Sequence, residues 1–334
     1  MAQKLRFGFG FDLRNPAHWS RTWPDIYAEH LDFIAWTETL GFEHVWLAEH
    51  HGIEDGYLPS PLIMAAAIAA RTRTIRIGTG VALAPFYHPV RLAEDCAVLD
   101  VLSNGRFDLT LGLGYLKFEA DAYGFDLKKR GRLTDELLQI VRPLWRGETV
   151  DFAGEFFQIR NARIFPRPVQ ERGIPLFIGG ATKPGFRRAA VYGDGYCGPV
   201  EDFPAYVAAL REAGKDESVA RIRCMSSSDM WFLVSHDPAA ALEEVAPHAY
   251  YQMNQYAEWQ KDVGWGIQQM SFEEFKKSGV MKVLTPKQAV EYIQGRREAA
   301  PIETFCMHAP AGFPLDKYAK YVELFAKEVL PAFA

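Results

Sequence analysis

Three consecutive ionisable residues, Glu49, His50 and His51, follow a short apolar segment with the pattern of a β-strand. A histidine can accept or donate a proton near neutral pH, and a neighbouring carboxylate can orient its ring. Adjacent histidines seldom point at one ion, and no third ligand has a suitable spacing, so we expect no metal here. Two interpretations of the triplet stay open: surface histidines that end a strand, or a catalytic acid–base group.

A second motif, Gly179, Gly180, Ala181 and Thr182, lies between a predicted strand and a predicted helix. Glycines let a ligand approach the backbone, the threonine offers a hydroxyl group, and a helix N-terminus offers free N–H groups. This combination is typical of a phosphate site. The alternative is an ordinary tight turn between a strand and a helix.

Gly112 and Gly114 form a weaker glycine motif after another predicted strand. Lys117 occupies the position at which a dinucleotide-binding fingerprint has its third glycine. The motif therefore does not predict a Rossmann site.

The elements that position these residues alternate between strand and helix along the chain, which predicts a parallel α/β fold. The predicted strands span residues 5–12, 44–48, 75–81, 106–111, 175–179, a segment near 196, 225–234 and 303–308. Eight such strands predict a closed (β/α)8 TIM barrel, with an open doubly wound sheet as the alternative. In a barrel the residues that follow the strands meet at one mouth, so we expect the three motifs to share one site.

Two segments depart from this alternation. Residues 149–165 are β-rich around Gly154 and predict a hairpin inserted in the barrel. Residues 249–281 are rich in aromatic and amide side chains, with Gly264 and Gly266 as candidate hinges. That segment predicts either a lid over the mouth or an additional surface helix. We otherwise expect residues 1–334 to form a single domain.

The composition, with 49% hydrophobic and 24% charged residues, is that of a globular protein. The 37 basic and 42 acidic side chains give a formal net charge of −5, which provides no basic surface for nucleic acid. No apolar run reaches the roughly 18 residues of a membrane span, and the first residues lack the pattern of a secretion signal. We therefore expect no nucleic-acid or membrane partner, a cytoplasmic location, and four widely spaced, reduced cysteines.

The chain resembles the luciferase-like flavin-dependent monooxygenases, the family of bacterial luciferase and long-chain alkane monooxygenase. The segments that carry the resemblance occur in order: 41–42 with Trp46 and the triplet 49–51, 78–80, 88–91, 93–95, 99–100, Ser103, 105–107 and, more weakly, 285–286 and 329–331. The resemblance covers nearly the whole chain.

The resemblance implies a TIM barrel that binds reduced FMN (FMNH2) at its mouth, forms a flavin C4a-hydroperoxide with O2, and inserts one oxygen atom into a small organic substrate. A separate NAD(P)H flavin reductase would supply the FMNH2, and the family commonly forms homodimers through helices 2 and 3. His50 matches the family's catalytic histidine, which Glu49 and His51 would support.

The resemblance also implies the residues that bind the cofactor. Gly80 and Val81 match the place where many members have a non-prolyl cis peptide bond behind the flavin ring. Residues 179–182 match the phosphate-binding segment, and Gly112 and Gly114 would border the flavin.

Three positions depart from luciferase itself. Gly112 stands where luciferase has a cysteine, Leu113 where it has an arginine on the phosphate, and Ala181 where it has an acidic residue, so we predict no light emission. The candidate replacement cations are Arg130, Arg132 and Lys183.

Two other functions remain open at this stage. One is hydride transfer with the deazaflavin F420 on the same fold. The other is a non-catalytic flavin-binding partner subunit, against which the intact His50 argues.

Overall fold

The computed structural model describes residues 4–224, 227–261 and 266–334, which contain thirteen strands and twelve α-helices. The strands are β1 (Arg6–Phe11), β2 (His44–Leu47), β3 (Arg76–Thr79), β4 (Ala82–Leu83), β5 (Phe107–Gly112), β6 (Val150–Ala153), β7 (Gln158–Ala162), β8 (Leu176–Gly179), β9 (Gly195–Gly198), β10 (Ile222–Cys224), β11 (Phe232–Val234), β12 (Lys282–Leu284) and β13 (Ile302–His308). The helices are α1 (Trp23–Thr39), α2 (Pro61–Arg71), α3 (Pro89–Leu102), α4 (Lys117–Ala122), α5 (Arg130–Trp145), α6 (Lys183–Tyr192), α7 (Phe203–Glu212), α8 (Ser227–Met230), α9 (Pro238–Gln260), α10 (Phe272–Ser278), α11 (Pro286–Ala299) and α12 (Leu315–Glu328).

Eight of the strands form one closed barrel in which all neighbours are parallel. Their order is β3, β2, β1, β13, β10, β9, β8 and β5, and β5 pairs again with β3. The closing pair aligns Ile77 with Phe107 and Gly78 with Asp108. Because an open sheet would keep two free edges, this closure confirms the predicted TIM barrel and excludes the doubly wound alternative.

The prediction of one long strand over residues 225–234 is wrong. The barrel strand in this region is β10, which ends at Cys224 and pairs with β9 and β13. The apolar residues further along form β11, which pairs with β12 in a separate two-stranded sheet. Residue 225 lies outside the described residues.

The packing on the two faces of β1 accounts for its alternation of phenylalanine and glycine. Phe9 packs outward against Phe33 of α1 and Tyr318 of α12. The glycines face a crowded interior: a Cβ atom on Gly8 would lie 1.8 Å from the His44 carbonyl oxygen, and one on Gly10 would lie 2.3 Å from His308 Nε2. Period-two alternation therefore places the phenylalanine rings against the helices and puts glycine at the positions where a Cβ atom would not fit.

The two predicted insertions have different structures. Strands β6 and β7 pair antiparallel within residues 149–165, where the hairpin was predicted. Residue 249, the predicted start of the second insertion, lies inside the 23-residue helix α9. Gly264 lies outside the described residues, and Gly266 has a φ of 107°.

None of the helices in the described ranges is both long and apolar enough to span a membrane. All four cysteines are buried and unpaired as free thiols. The prediction of a single domain over the whole chain stays a prediction.

Candidate active site

His50 follows β2 at the mouth of the barrel and is held by a buried acid. Its Nδ1 lies 2.8 Å from Oε1 of Glu119 in α4, and the same oxygen accepts the backbone N–H of His51 at 2.8 Å. Both side chains are almost fully buried. With Nδ1 engaged by Glu119, Nε2 is the ring nitrogen left for chemistry.

Glu119 itself keeps one unused oxygen. Within the described part of the chain, Glu119 Oε2 is buried and has no hydrogen-bond partner. Burying a carboxylate oxygen without a partner costs free energy, and such exceptions occur preferentially at functional sites. The carboxylate is therefore placed to serve the His50 imidazole and not to brace the core.

Three aromatic side chains from three different segments enclose the His50 ring. The centroid of the imidazole lies 4.8 Å from Tyr57, 5.7 Å from Tyr115 and 5.1 Å from Trp259, which is near the end of α9. Burial raises the pKa of Tyr57 well above its usual value and the pKa of Tyr115 to about 12. The two phenols therefore stay protonated at neutral pH, and the set forms an aromatic box with hydroxyl groups at its edge.

Glu49 and His51 face away from this box and hold the loop after β3. Glu49 Oε2 accepts the backbone N–H of Leu83 at 2.6 Å, while Oε1 accepts Tyr87 Oη at 2.9 Å and His51 Nε2 at 3.1 Å. His51 Nδ1 lies 2.9 Å from Tyr123 Oη. Because both ring nitrogens of His51 have partners, only His50 of the triplet offers a nitrogen to a ligand.

Val81 lies against the ends of β5 and β8, directly after a Gly80–Val81 peptide bond that is cis. A Cβ atom on Gly112 would lie 2.6 Å from Val81 Cγ2, and one on Gly179 would lie 3.2 Å from Val81 Cγ1. The two glycines therefore make room for the valine side chain. Gly114 has a φ of 70°, a conformation that glycine adopts without strain.

Residues 180–183 form an exposed turn at the N-terminus of α6. Thr182 accepts the Gly185 N–H at 3.4 Å, and no acidic residue lies in the first turn of the helix. Gly180 has a φ of 137°, which favours glycine. Free N–H groups and the positive end of the helix dipole at an exposed turn fit an anion.

The predicted phosphate cations differ in how they are paired. Arg132 binds Glu155 on the surface, and Lys183 is mostly exposed. Arg130 is half-buried and donates to the Leu127 carbonyl oxygen. Burial lowers its pKa, and the neighbouring Arg188 lowers it further. Arg188 itself already pairs with Asp135, with Nε 2.7 Å from Oδ1.

The residues that sequence reasoning missed lie on elements that it did not predict. Glu119 belongs to the six-residue α4, which has no distinct sequence pattern, and Tyr57 lies in the loop after the triplet. Trp259 was counted only as part of an aromatic-rich segment. Across the described ranges, no three His, Cys, Asp or Glu side chains are grouped so that they could hold a metal ion.

The closed parallel barrel is that of a TIM-barrel protein, and comparison with known proteins gives the family. The chain belongs to the luciferase-like monooxygenases, because the sequence model of that family matches residues 7–301. Its relatives divide between flavin-dependent monooxygenases and F420-dependent dehydrogenases.

Two curated relatives illustrate this division. The oxygenase component of the flavin-dependent trigonelline monooxygenase of Acinetobacter baylyi is 31% identical over 160 residues, which cover 47% of this chain and 44% of that protein. The F420-dependent glucose-6-phosphate dehydrogenase of Amycolatopsis mediterranei is 28% identical over 207 residues, which cover 60% of this chain and 62% of that protein. The matches thus span less than two thirds of each relative's length.

Among solved structures, the monooxygenase RslO1 from Streptomyces bottropensis is similar over the full length. It has a TM-score of 0.81 and 25% sequence identity, and the match covers 99% of this chain and 100% of RslO1.

Proposed function

We propose that this protein is an FMNH2-dependent monooxygenase, the oxygenase component of a two-component system, which inserts one oxygen atom from O2 into a small organic substrate. A separate NAD(P)H flavin reductase supplies the FMNH2. The observation that carries the proposal is the buried His50–Glu119 pair, whose imidazole ring the aromatic box encloses. Such a site combines proton transfer with the exclusion of water.

The residues present fit reduced FMN. The exposed turn at 180–183 offers N–H groups to a phosphate, and the half-buried Arg130, which neighbours Arg188 of α6, is the cation that we propose for it. Val81 provides an apolar surface for a flat ring, and Gly112 and Gly179 keep that surface in place. When bound, FMNH2 supplies the electrons that activate O2.

The remaining work falls to the side chains of the chain itself. His50 Nε2 delivers or removes a proton at the reacting oxygen, while Glu119 holds Nδ1–H and stabilises the positive charge when the ring is protonated. Tyr57, Tyr115 and Trp259 shield this nitrogen from bulk water. Glu49 and His51 act indirectly, because they hold the loop that begins with Val81.

The experiment is a screen with isotopically labelled O2. The protein is mixed with FMNH2 and a panel of small organic compounds, and the masses of the products are measured by mass spectrometry. We expect a product that carries one labelled oxygen atom. Absence of label from every product, together with reduction of added F420 by an alcohol in the same panel, would refute the proposal.

F420-dependent hydride transfer is the second candidate. The division of the relatives favours it, and an imidazole Nε2 beside an apolar pocket can also take the hydroxyl proton of an alcohol as a hydride leaves its carbon. The two candidates differ in cofactor and in the need for O2, which the screen separates.

The phosphate contact gives a direct binding prediction. Arg130→Ala is expected to weaken FMN binding roughly 10-fold to 100-fold, because a hydrogen bond to a charged group contributes about 1.5–3 kcal/mol. Arg130 donates to the Leu127 carbonyl oxygen, whereas the neighbouring Arg188 already pairs with Asp135, so Arg130 is the cation to test. Fluorescence titration with FMN measures the effect.

Two controls make that titration specific. Riboflavin lacks the phosphate, so its affinity should be the same for the wild type and for Arg130→Ala. Arg132→Ala removes a cation that is already paired with Glu155 and should leave FMN affinity unchanged. Equal losses in both variants, or an equal loss for riboflavin, would contradict the assignment.

We also propose that two copies pair through α2 and α3. These helices expose large apolar side chains at Ile63, Val98, Val101 and Leu102, and exposed apolar patches mark interaction surfaces. Light scattering should give twice the mass of the chain for the wild type, and the mass of one chain for Val101→Glu. A monomeric wild type would contradict this.

A further inference from the structure

Arg14 is a fully buried arginine near the mouth that the proposed chemistry does not use. It follows β1, and its side chain has no exposed area. Its Nε and Nη2 each lie 2.7 Å from Asp55 Oδ2, and Nη2 also donates to Gln255 Oε1 of α9 at 2.7 Å. One guanidinium therefore joins the segments after β1 and β2 to α9, which begins at Pro238, more than 220 residues after Arg14.

The acids around Arg14 bind the same helix. Tyr251 Oη donates to Asp55 Oδ2 at 2.8 Å, and Gln252 Nε2 donates to Asp12 Oδ2 at 2.9 Å. Residues 251, 252, 255 and 259 lie on one face of α9, because four residues make about one turn. Tyr251, Gln252 and Gln255 of α9 are thus hydrogen-bonded to the mouth along one face of the helix. We call these three residues, together with Arg14, Asp12 and Asp55, the polar seam.

The guanidinium also touches the aromatic box. Its central carbon lies 5.3 Å from the Tyr57 ring, 5.1 Å from the Tyr251 ring and 5.5 Å from the Trp259 ring. Tyr57 and Trp259 are two of the three rings around His50. Tyr57 Oη further lies 2.8 Å from Tyr256 Oη of α9. The position of Arg14 and the enclosure of His50 are therefore geometrically coupled.

The seam is only partly satisfied. In the described ranges, Arg14 Nη1 is buried without a hydrogen-bond partner, and the nearest carboxylate oxygen, Asp12 Oδ2, is 3.9 Å away. A buried network in which every polar group is hydrogen-bonded makes a structure rigid, whereas a network with an unpaired group holds its segments together less firmly. Two carboxylates share one cation here, so removal of Arg14 would leave two acids facing each other without compensation.

We propose that Arg14 is a positioning residue that holds the C-terminal half of α9 closed over His50, as the latch of a lid. Closed, the latch places Trp259 and Tyr57 against the imidazole and keeps water from Nε2. Open, it admits the cofactor and the substrate. The chemical consequence rests on the proposed function, whereas the closure of α9 does not.

Hydrogen exchange followed by mass spectrometry tests the closure in the full-length protein without cofactor. In Arg14→Met we expect amide exchange over residues 251–260 to accelerate about 10-fold or more, with exchange in α1 unchanged. Arg14→Lys keeps the charge but not the two-pronged geometry, so it should lie between Arg14→Met and the wild type. Arg21→Met, which removes an exposed arginine paired with Glu29, is the matched control and should match the wild type.

A milder variant covers the case in which Arg14→Met does not fold. Tyr251→Phe removes one hydroxyl from the seam and keeps the ion pair, and it should accelerate exchange over residues 251–260 about threefold to fivefold. Unchanged exchange in this segment, or equal acceleration in α1, would overturn the latch.

A second measurement connects the latch to the site. With FMNH2 and O2, Arg14→Lys should release hydrogen peroxide several times faster than the wild type, because water reaches the mouth. Faster exchange with unchanged peroxide release would overturn the shielding role. If the wild type consumes no FMNH2 at all, the proposed function fails, while the exchange result still decides whether Arg14 holds α9.

Discussion

His50→Ala is expected to lower substrate oxygenation by ~10²–10⁴-fold, the usual contribution of a positioned general acid or base. Among the described residues, Glu119 engages Nδ1 of His50, and Glu49 and Tyr123 engage both ring nitrogens of His51, which leaves Nε2 of His50 for a ligand. Without it, no group of the triplet supplies a proton at the reacting oxygen. The measurement is product formed per FMNH2 consumed, with hydrogen peroxide as the alternative product.

Glu119→Gln tests the second half of the same pair. The amide oxygen can still accept Nδ1–H, but the negative charge that stabilises a protonated ring is lost. Since hydrogen bonds to charged groups contribute about 1.5–3 kcal/mol, the expected loss is roughly 10-fold to 100-fold.

A surface histidine provides the control for both variants. His236 is mostly exposed and pairs with Glu328 at 3.3 Å, so His236→Ala should behave as the wild type. If His50→Ala stays within about threefold of the wild type, the acid–base role is wrong.

Asp108→Asn is expected to cause the largest loss of stability. Asp108 is fully buried inside the barrel, where Oδ1 accepts Arg223 Nη1 and Oδ2 accepts Arg76 Nε at 3.1 Å. The Arg223 guanidinium in turn lies 3.7 Å from the centre of the Phe177 ring. Arg223, followed by His44, holds the pKa of Asp108 well below its usual value despite burial.

Breaking a buried pair by removing one charge costs about 3–5 kcal/mol, because the partner charge stays buried. With an unfolding entropy of about 2.1 cal/mol/K per residue over 334 residues, this corresponds to a fall in Tm of roughly 4–7 °C. Thermal unfolding at a fixed scan rate measures it. Since the folded-state pKa of Asp108 is lowered, its contribution to stability is fully present above the usual aspartate pKa and is lost progressively as the pH falls from there towards the folded-state pKa.

Matched variants separate the buried pair from ordinary charge removal. Asp32→Asn removes an exposed acid paired with Arg71 and should cost about 0–1 kcal/mol. The double variant Asp108→Leu with Arg223→Met should recover part of the loss, because apolar side chains can replace a buried ion pair. A Tm of Asp108→Asn equal to that of Asp32→Asn would contradict the account.

The barrel could be predicted from the sequence because most of its strands are apolar on both faces and end in recognisable turns. The seventh strand could not be predicted. β10 has three residues and includes Arg223, whose charge is buried only because Asp108 meets it from across the barrel. The more apolar β11 nearby has the stronger strand pattern but pairs with β12 outside the barrel.

The site was predictable only in part for a related reason. The histidine triplet and the glycine turns are local patterns, so their spacing was sufficient to single them out. Glu119 and Trp259 reach His50 from 69 and 209 residues away along the chain, and only tertiary packing brings them together. The same holds for Arg14, which reads as an ordinary loop arginine until Asp55 and Gln255 enclose it.

We propose that the mouth of this barrel binds reduced FMN beside His50. The decisive experiment is an anaerobic titration of the wild type with FMNH2 and, in parallel, with F420. We expect saturable binding of FMNH2, tighter than that of F420 and weakened by Arg130→Ala. Tight binding of F420 without measurable affinity for FMNH2 would contradict it.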